Sequence, residues 1–235
     1  MAKNADATIR ECLESLQPFS EVVLYLNDST DQTETIARTF PNVKIVKGTF
    51  TGFGPTKNAA ASHAKNEWIL SLDSDEILND ALIQEIAAQD FSNTKHLFVL
   101  RRDNYFLGEK TISKDFLVRI YNKKVTGFNE NLVHEKVIVP EDAVLIKLKT
   151  GFKHLNVTDI NQTLTKLIKY TDLGAEGKRT CFYPVVIMKS TFAFFQSYFL
   201  RGYFRDGWVG FTIAVTSANR RFYKYLKQYL HCKGK

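Results

Sequence analysis

Residues 7–76 alternate helix-like and strand-like stretches, and this pattern constrains the fold more than any other feature of the chain. In residues 7–16, Ile9, Cys12, Leu13 and Leu16 follow helical spacing behind Asp6 as an N-cap, which predicts an amphipathic helix. The apolar run 21–26 predicts a strand and ends in the polar loop Asn27-Asp28-Ser29-Thr30-Asp31. Helical spacing returns at 33–40 through Ile36, Ala37 and Phe40, and 42–46 reads as a second strand. A Gly-rich loop over 48–55 leads into a helix at 56–64 with Pro55 at its first position, where a missing amide hydrogen costs nothing. The strongly apolar stretch 68–72 then predicts a strand that runs straight into Asp73-Ser74-Asp75-Glu76. Strands separated by helices need crossover connections, so the expected class is α/β with a mostly parallel sheet and flanking helices.

Further along, 78–88 reads as a helix, 96–101 as a strand, and 117–121 and 137–139 as shorter strands beside turns. From Asn161 the pattern is helical, with breaks near 174–177, at Pro184 and near 207–210. A boundary near Thr158 divides an α/β part, 1–158, from a helical part, 159–235. A chain of 235 residues has room for one large α/β domain with such an appendage.

The net charge of +7 is unevenly distributed. Residues 178–235 hold 11 Lys/Arg against the single acid Asp206, together with 15 of the 30 aromatics, so the positive charge belongs to the tail. Cations interleaved with rings suit an anionic membrane surface, where rings settle at the headgroup level and cations meet phosphates. The same residues also suit helices whose aromatics form core and whose Arg201, Arg205, Arg220 and Arg221 face water. The apolar stretches 184–200 and 207–218 are interrupted by Lys189, Gln196, Thr212 and Thr216 and fall short of the roughly 20 residues of a spanning helix. With no leader-like opening, the expected location is cytoplasmic and peripheral on the inner membrane. Cys12, Cys181 and Cys232 lie far apart, which fits reduced thiols better than a zinc site or a disulfide framework.

The chemistry concentrates at Asp73-Ser74-Asp75. Ligands of open α/β sheets bind beyond the carboxyl ends of strands, and two carboxylates separated by one residue can hold magnesium or manganese, which prefer oxygen ligands. Such a metal neutralises charge as a diphosphate departs. The plain alternative is a helix N-cap followed by acids of the first turn. Gly52-Phe53-Gly54-Pro55-Thr56-Lys57 lacks P-loop spacing, which argues against an ATPase.

Three segments in this order, Asn27 to Asp31, Gly52-Phe53-Gly54-Pro55-Thr56-Lys57-Asn58 and Trp68 to Glu76, resemble the family-2 inverting glycosyltransferases of the GT-A (Rossmann-like) fold. Within that family the chain looks like the bacterial lipopolysaccharide-core biosynthesis enzymes. The likeness extends through Arg101 to Gly108, Val133-His134-Glu135 and Asp206 to Phe211. It implies a nucleotide-sugar donor, with UDP-glucose expected, a lipid-linked or lipopolysaccharide acceptor, and a divalent metal. By position it implies that Asp73 contacts the ribose or the metal, that Asp75 is the more direct metal ligand, that Asn27 and Asp28 sit against the base, and that Lys57 faces the nucleotide. Residues 1–158 become the nucleotide-sugar domain and 159–235 the acceptor side.

Two positions depart from the family. Leu26, Asn27 and Asp28 stand where two acids and a glycine are usual, and Asp28 is the residue chosen to read the base. Met1-Ala2-Lys3-Asn4 stands where a central apolar strand should already have ended, so that first strand is missing. The expectation is a void costing several kcal/mol, and either a reading frame that extends upstream or a chain unstable alone.

Inverting transfer needs a base for the acceptor hydroxyl. Glu135 is the first candidate, His134 the alternate base or a metal or diphosphate ligand, and Glu130 a rival; a solvent-facing His-Glu pair is the plain reading. A sugar nucleotidyltransferase also uses a strand-end acidic pair, but it usually starts with a Gly-rich loop that Ala2-Lys3-Asn4-Ala5-Asp6 does not provide. Nucleic-acid binding by the tail is opposed by the acids of the N-terminal part and by the lack of a compact signature.

Overall fold

The N-terminal alternation is realised as α1 (Ile9–Ser15), β1 (Val22–Leu26), α2 (Thr33–Ala37), β2 (Val43–Lys47), α3 (Phe53–Ser62) and β3 (Trp68–Leu70). The computed structural model describes residues 1–131 and 135–234. It comprises two compact units, one of Met1–Asp103 with Lys114–His154 and the other of Asn104–Ser113 with the residues from Leu155 on.

In the first unit β1 and β2 pair in parallel from Val22 opposite Val43 to Leu26 opposite Lys47. Ala2 makes one parallel bridge to Leu26 on the other edge of β1. The remaining strands are β4 (Glu76–Ile77), β5 (His96–Phe106), β6 (Glu109–Asn122) and β7 (Val144–Val157), with α4 (Asp80–Ala87) between β4 and β5. They form a second sheet in the order β3-β6-β5-β7-β4. Pairs β3/β6 and β4/β7 are antiparallel. The Leu107-Gly108 turn, with φ of 50° and 84°, joins β5 to β6 as a tight hairpin. Backbone bonds from Val144 N–H to Lys95 O and from Leu107 N–H to Val157 O, one near each end, make β5 and β7 parallel. The α/β class with flanking helices is thus present, and its sheet is mixed because a hairpin and two short antiparallel strands supplement the crossovers.

Ile9, Leu13, Leu24, Leu82, Phe98 and Phe152 are buried in one apolar cluster that joins α1, β1, α4, β5 and β7. Burying a side chain of this kind contributes roughly 1.5–3 kcal/mol relative to leaving it exposed. Beside the cluster a cavity of about 540 Å³ is lined by Val22 and Leu24 of β1 and by Trp68 and Leu70 of β3. The two sheets do not pair across it.

Several elements differ from the sequence reading. Residues 137–139 make only a bridge from Val137 to Phe128. β4 and β7 were not expected: β4 is two residues long, and the lysines and Gly151 of β7 blur its apolar alternation.

The second unit carries α5 (Ile160–Ala175), capped by the Asp159 side chain, α6 (Pro184–Phe195) and α7 (Gly207–Cys232). A π-helical turn, Gln196–Leu200, and a 3₁₀ turn, Tyr203–Asp206, connect the last two. Pro184 opens α6 and Gly207 opens α7, so two of the expected breaks fall at helix starts, while the one near 174–177 falls at the end of α5. Cys181 and Cys232 form a disulfide, with Cα atoms 5.4 Å apart, whereas Cys12 is free and buried. This corrects the expectation of three reduced thiols: 51 residues separate the pair, and only helix packing brings them together. Among the described residues no helix is long and apolar enough to cross a membrane.

Candidate active site

The Gly-Phe-Gly-Pro-Thr-Lys-Asn stretch builds one wall of the site. Gly52 precedes α3 at φ 117°, a backbone that L side chains rarely adopt. A Cβ at Gly54 would lie 1.8 Å from the Asn129 carbonyl oxygen, so only glycine lets the 127–131 loop pack so closely. Asn58 fixes that loop by donating to the Phe128 carbonyl at 2.9 Å and accepting from the Phe128 amide at 2.8 Å. Pro55 is the third residue of α3 rather than the first, and Thr56 and Lys57 face inward.

Lys57 is the hub. Its side chain is 5% exposed, and its Nζ lies 3.0 Å from Asp73 Oδ1 and 2.8 Å from Glu135 Oε1. It also sits 5.1 Å from the centre of the Phe128 ring, a cation–π distance. Two carboxylates 62 residues apart in sequence are therefore held on one ammonium.

Beneath them lies a buried ionic cluster. Arg119, 4% exposed, donates to Asp73 Oδ2 at 3.3 Å and makes a close contact with Glu76 Oε1, and Arg102 reaches the same Glu76 oxygen at 3.3 Å. Glu76 is fully buried and accepts from the Asp73 amide at 3.0 Å, which ties the acidic turn together. Desolvation pushes both carboxyls up. For Asp73 the charges of Arg119 and Lys57 win and hold it well below the usual carboxylate range, whereas for Glu76 burial prevails over the pull of Arg119 and it stays raised. Burial also pushes the Cys12 thiol up to about 12. The Cys12 Sγ lies 3.8 Å from the Asp73 carbonyl oxygen.

Above the cluster opens a cleft of about 500 Å³. Its lining includes Asn27, Asp73, Asp75, Glu135 and His154, with Phe50 and Phe53 among its apolar contributors. Asn27 is buried, and its Oδ1 has no hydrogen-bond partner among the described residues. Asp75 is half-exposed, with His154 Nε2 at 3.5 Å. The structure thus brings together Asn27, Lys57, Asp73, Asp75 and Glu135 of the expected set. Asp28 is exposed, at φ 56°, and is not among the residues lining this cleft. His134 lies outside the described residues.

Four members were not anticipated. Arg119 carried a usable signal, a lone cation inside the apolar run Phe116-Leu117-Val118-Arg119-Ile120-Tyr121. His154 carried none; it arrives because β7 pairs with β4, setting Glu76 opposite His154. Phe50 and Phe53 meet edge to face at the rim, 5.1 Å between ring centres, and nothing in their spacing marked them as a pair.

Among the described residues no group of three or more His, Cys, Asp or Glu side chains forms a closed metal site. An open site is what a nucleotide-bound magnesium or manganese needs, since one or two carboxylates suffice when phosphate and water complete the shell. Asp75, with Asp73 behind it, fits that requirement. Asp73 is already engaged by two cations, which leaves Asp75 the better placed of the two.

Residues 1–141 match the family model described as glycosyl transferase family 2. The chain is 28% identical to an uncharacterized glycosyltransferase of Rickettsia prowazekii, over 97% of this chain and 84% of that protein. A counterpart from Rickettsia typhi is 27% identical over the same shares. The lipopolysaccharide core biosynthesis glycosyltransferase LpsC of Rhizobium meliloti is 26% identical, over 96% of this chain and 88% of LpsC. Among solved structures, S. aureus TarS 1-349 aligns with a TM-score of 0.45 at 16% identity, over 100% of this chain and 90% of that one.

Proposed function

The chain belongs to glycosyl transferase family 2, and on that premise we propose that it moves a hexose from a nucleotide-sugar, UDP-glucose, to a lipopolysaccharide-core or related glycolipid acceptor with inversion. The observation that carries the reading is the convergence of Asn27, Asp73, Asp75 and Glu135 on one cleft, with Lys57 bonded to both Asp73 and Glu135. The similarity to LpsC, a lipopolysaccharide core biosynthesis glycosyltransferase, supports the acceptor class.

In this reading Asn27 offers its unpartnered Oδ1 to the nucleobase or ribose, since a buried acceptor without a donor costs free energy until it is met. Asp28, exposed in the loop after β1, is the second candidate for the base. Lys57 and Arg119 fix the Asp73 carboxylate toward the nucleotide. Asp75, with Asp73, would hold magnesium or manganese, which when bound neutralises charge on the departing diphosphate. Glu135 takes the proton of the acceptor hydroxyl as it attacks the anomeric carbon, with His134 the alternate base. Lys57 positions Glu135 for this step by holding its Oε1.

The second unit supports acceptor delivery at a membrane surface. Phe192, Phe195, Phe199, Leu200, Phe204 and Trp208 are exposed within 17 residues that also carry Arg201 and Arg205. Exposed rings beside cations suit adsorption to anionic headgroups.

Calorimetric titration of UDP, GDP and CDP, with and without manganese, tests the reading. Manganese-dependent binding of UDP, lost in Asp75→Asn, is expected. Failure of all three nucleotides to bind would overturn it.

A further inference from the structure

The second unit contains a separate cavity of about 180 Å³ whose lining differs from that of the donor cleft. Hydroxyls and amides come from Asn104, Thr111, Ser113, Asn156, Thr163, Thr216 and Ser217, and no carboxylate is among the lining residues. Two cations, Lys166 and Arg220, stand at it, exposed to solvent and without a carboxylate partner among the described residues. The helices present them alike: Thr163 and Lys166 are three residues apart on α5, and Thr216 and Arg220 four apart on α7, so each cation shares a helix face with a hydroxyl. Tyr105 and Tyr203 add aromatic surface.

One group in this lining is unexplained by the fold. Thr163 is buried, and its Oγ1 has no hydrogen-bond partner among the described residues, although most neighbouring hydroxyls are engaged. Thr111 donates to the Asn104 carbonyl at 3.0 Å and Thr216 to the Thr212 carbonyl at 2.8 Å, while Ser113 accepts from Asn104 Nδ2 at 3.2 Å. A buried, unsatisfied hydroxyl on the wall of a polar cavity asks for a partner from within it.

We propose that this cavity is a binding site for a phosphorylated saccharide, held by Lys166 and Arg220 at its phosphate and by the hydroxyl and amide wall at its sugar. Two cations without a carboxylate partner among the described residues, Arg220 also lying 6.0 Å from the Tyr170 ring centre, select an oxyanion, and charge-assisted bonds from a guanidinium and an ammonium suit phosphate. The hydroxyls, amides and tyrosines suit a sugar ring. The volume lies below the roughly 300–1,000 Å³ of pockets for drug-sized ligands, which favours a single phosphorylated sugar residue over a nucleotide. The assignment does not rest on the donor-cleft reading, because every lining residue belongs to the second unit.

The test is calorimetric titration of the full chain with glucose 6-phosphate, inorganic phosphate and glucose. Glucose 6-phosphate is expected to bind at least tenfold more tightly than either of the others. Its affinity should fall at least tenfold in Lys166→Gln/Arg220→Gln, severalfold in Thr163→Val, and remain unchanged in Asp75→Asn. Far-UV circular dichroism checks that each variant folds, and the two substituted cations are exposed, so the glutamines should be tolerated. Absence of binding, or binding that survives the double substitution, would overturn the proposal. Loss of binding in Asp75→Asn alone would place the sugar phosphate in the donor cleft and equally overturn it. Inorganic phosphate binding as tightly as glucose 6-phosphate would overturn the saccharide part, and glucose doing so the phosphate part.

Discussion

Replacing Arg119 by Met should cost the first unit about 3 kcal/mol, the lower end of the 3–5 kcal/mol typical when one partner of a buried ion pair is removed. The structure supplies the reason for the lower end. Glu76 is fully buried and loses its closest cation, but Arg102 Nη1 remains at 3.3 Å; Asp73 loses a contact of 3.3 Å, but Lys57 Nζ remains at 3.0 Å. With roughly 2–4 °C of melting temperature per kcal/mol for a chain of this size, the melting temperature should fall by about 6–12 °C. In urea, with a slope of about 3 kcal/mol/M, the midpoint should fall by about 1 M. The assay is the fluorescence of Trp68 in a Trp208→Phe background, which restricts the signal to the first unit. Adding Glu76→Gln to Arg119→Met should restore about half the loss, because a buried amide carries no unpaired charge. If Arg119→Met unfolds within about 0.5 kcal/mol of the parent, or Glu76→Gln rescues nothing, the buried cluster is not organised by charge pairing as argued.

Glu135→Gln should lower turnover by at least about a hundredfold, the typical worth of a general base, while leaving UDP binding intact; stopped-assay kinetics with calorimetry separates the two, and retained turnover eliminates Glu135 as the base. In the metal-free protein Asp73 and Glu76 should impose opposite pH dependences. The folded pKa of Asp73 is lowered, so its stabilisation is present above its unfolded value of about 3.9 and lost as pH falls through the folded one. The folded pKa of Glu76 is raised, so its contribution is full below about 4.3 and lost as pH rises. Urea titrations across pH 3–8 should therefore show Asp73→Asn flattening the acid limb, and Glu76→Gln gaining on the parent toward neutral pH. Replacing Cys181 and Cys232 by Ser should destabilise the second unit by about 4 kcal/mol, the loop-closure value for a 51-residue separation, read by Trp208 fluorescence.

What the sequence determined by itself is local. Helical spacing at Ile9, Cys12 and Leu13, the apolar run ending at Leu26, and Pro184 and Gly207 at helix starts each express a preference satisfied within a few residues, so α1, β1, α6 and α7 were legible. The Asp-Ser-Asp turn after an apolar strand, and Lys57 near a helix start, were legible for the same reason. Tertiary structure decided everything that depends on partners distant in the chain. It alone put Lys57 between Asp73 and Glu135, buried Arg119 under the acids, and set His154 beside Asp75 through the pairing of β7 with β4. It closed the Cys181–Cys232 bridge and gave Gly54 its reason in the carbonyl of Asn129. The physical cause is the same throughout: propensity and periodicity act over one or two turns, whereas ion pairs, disulfides and strand register are set by packing that no short window contains.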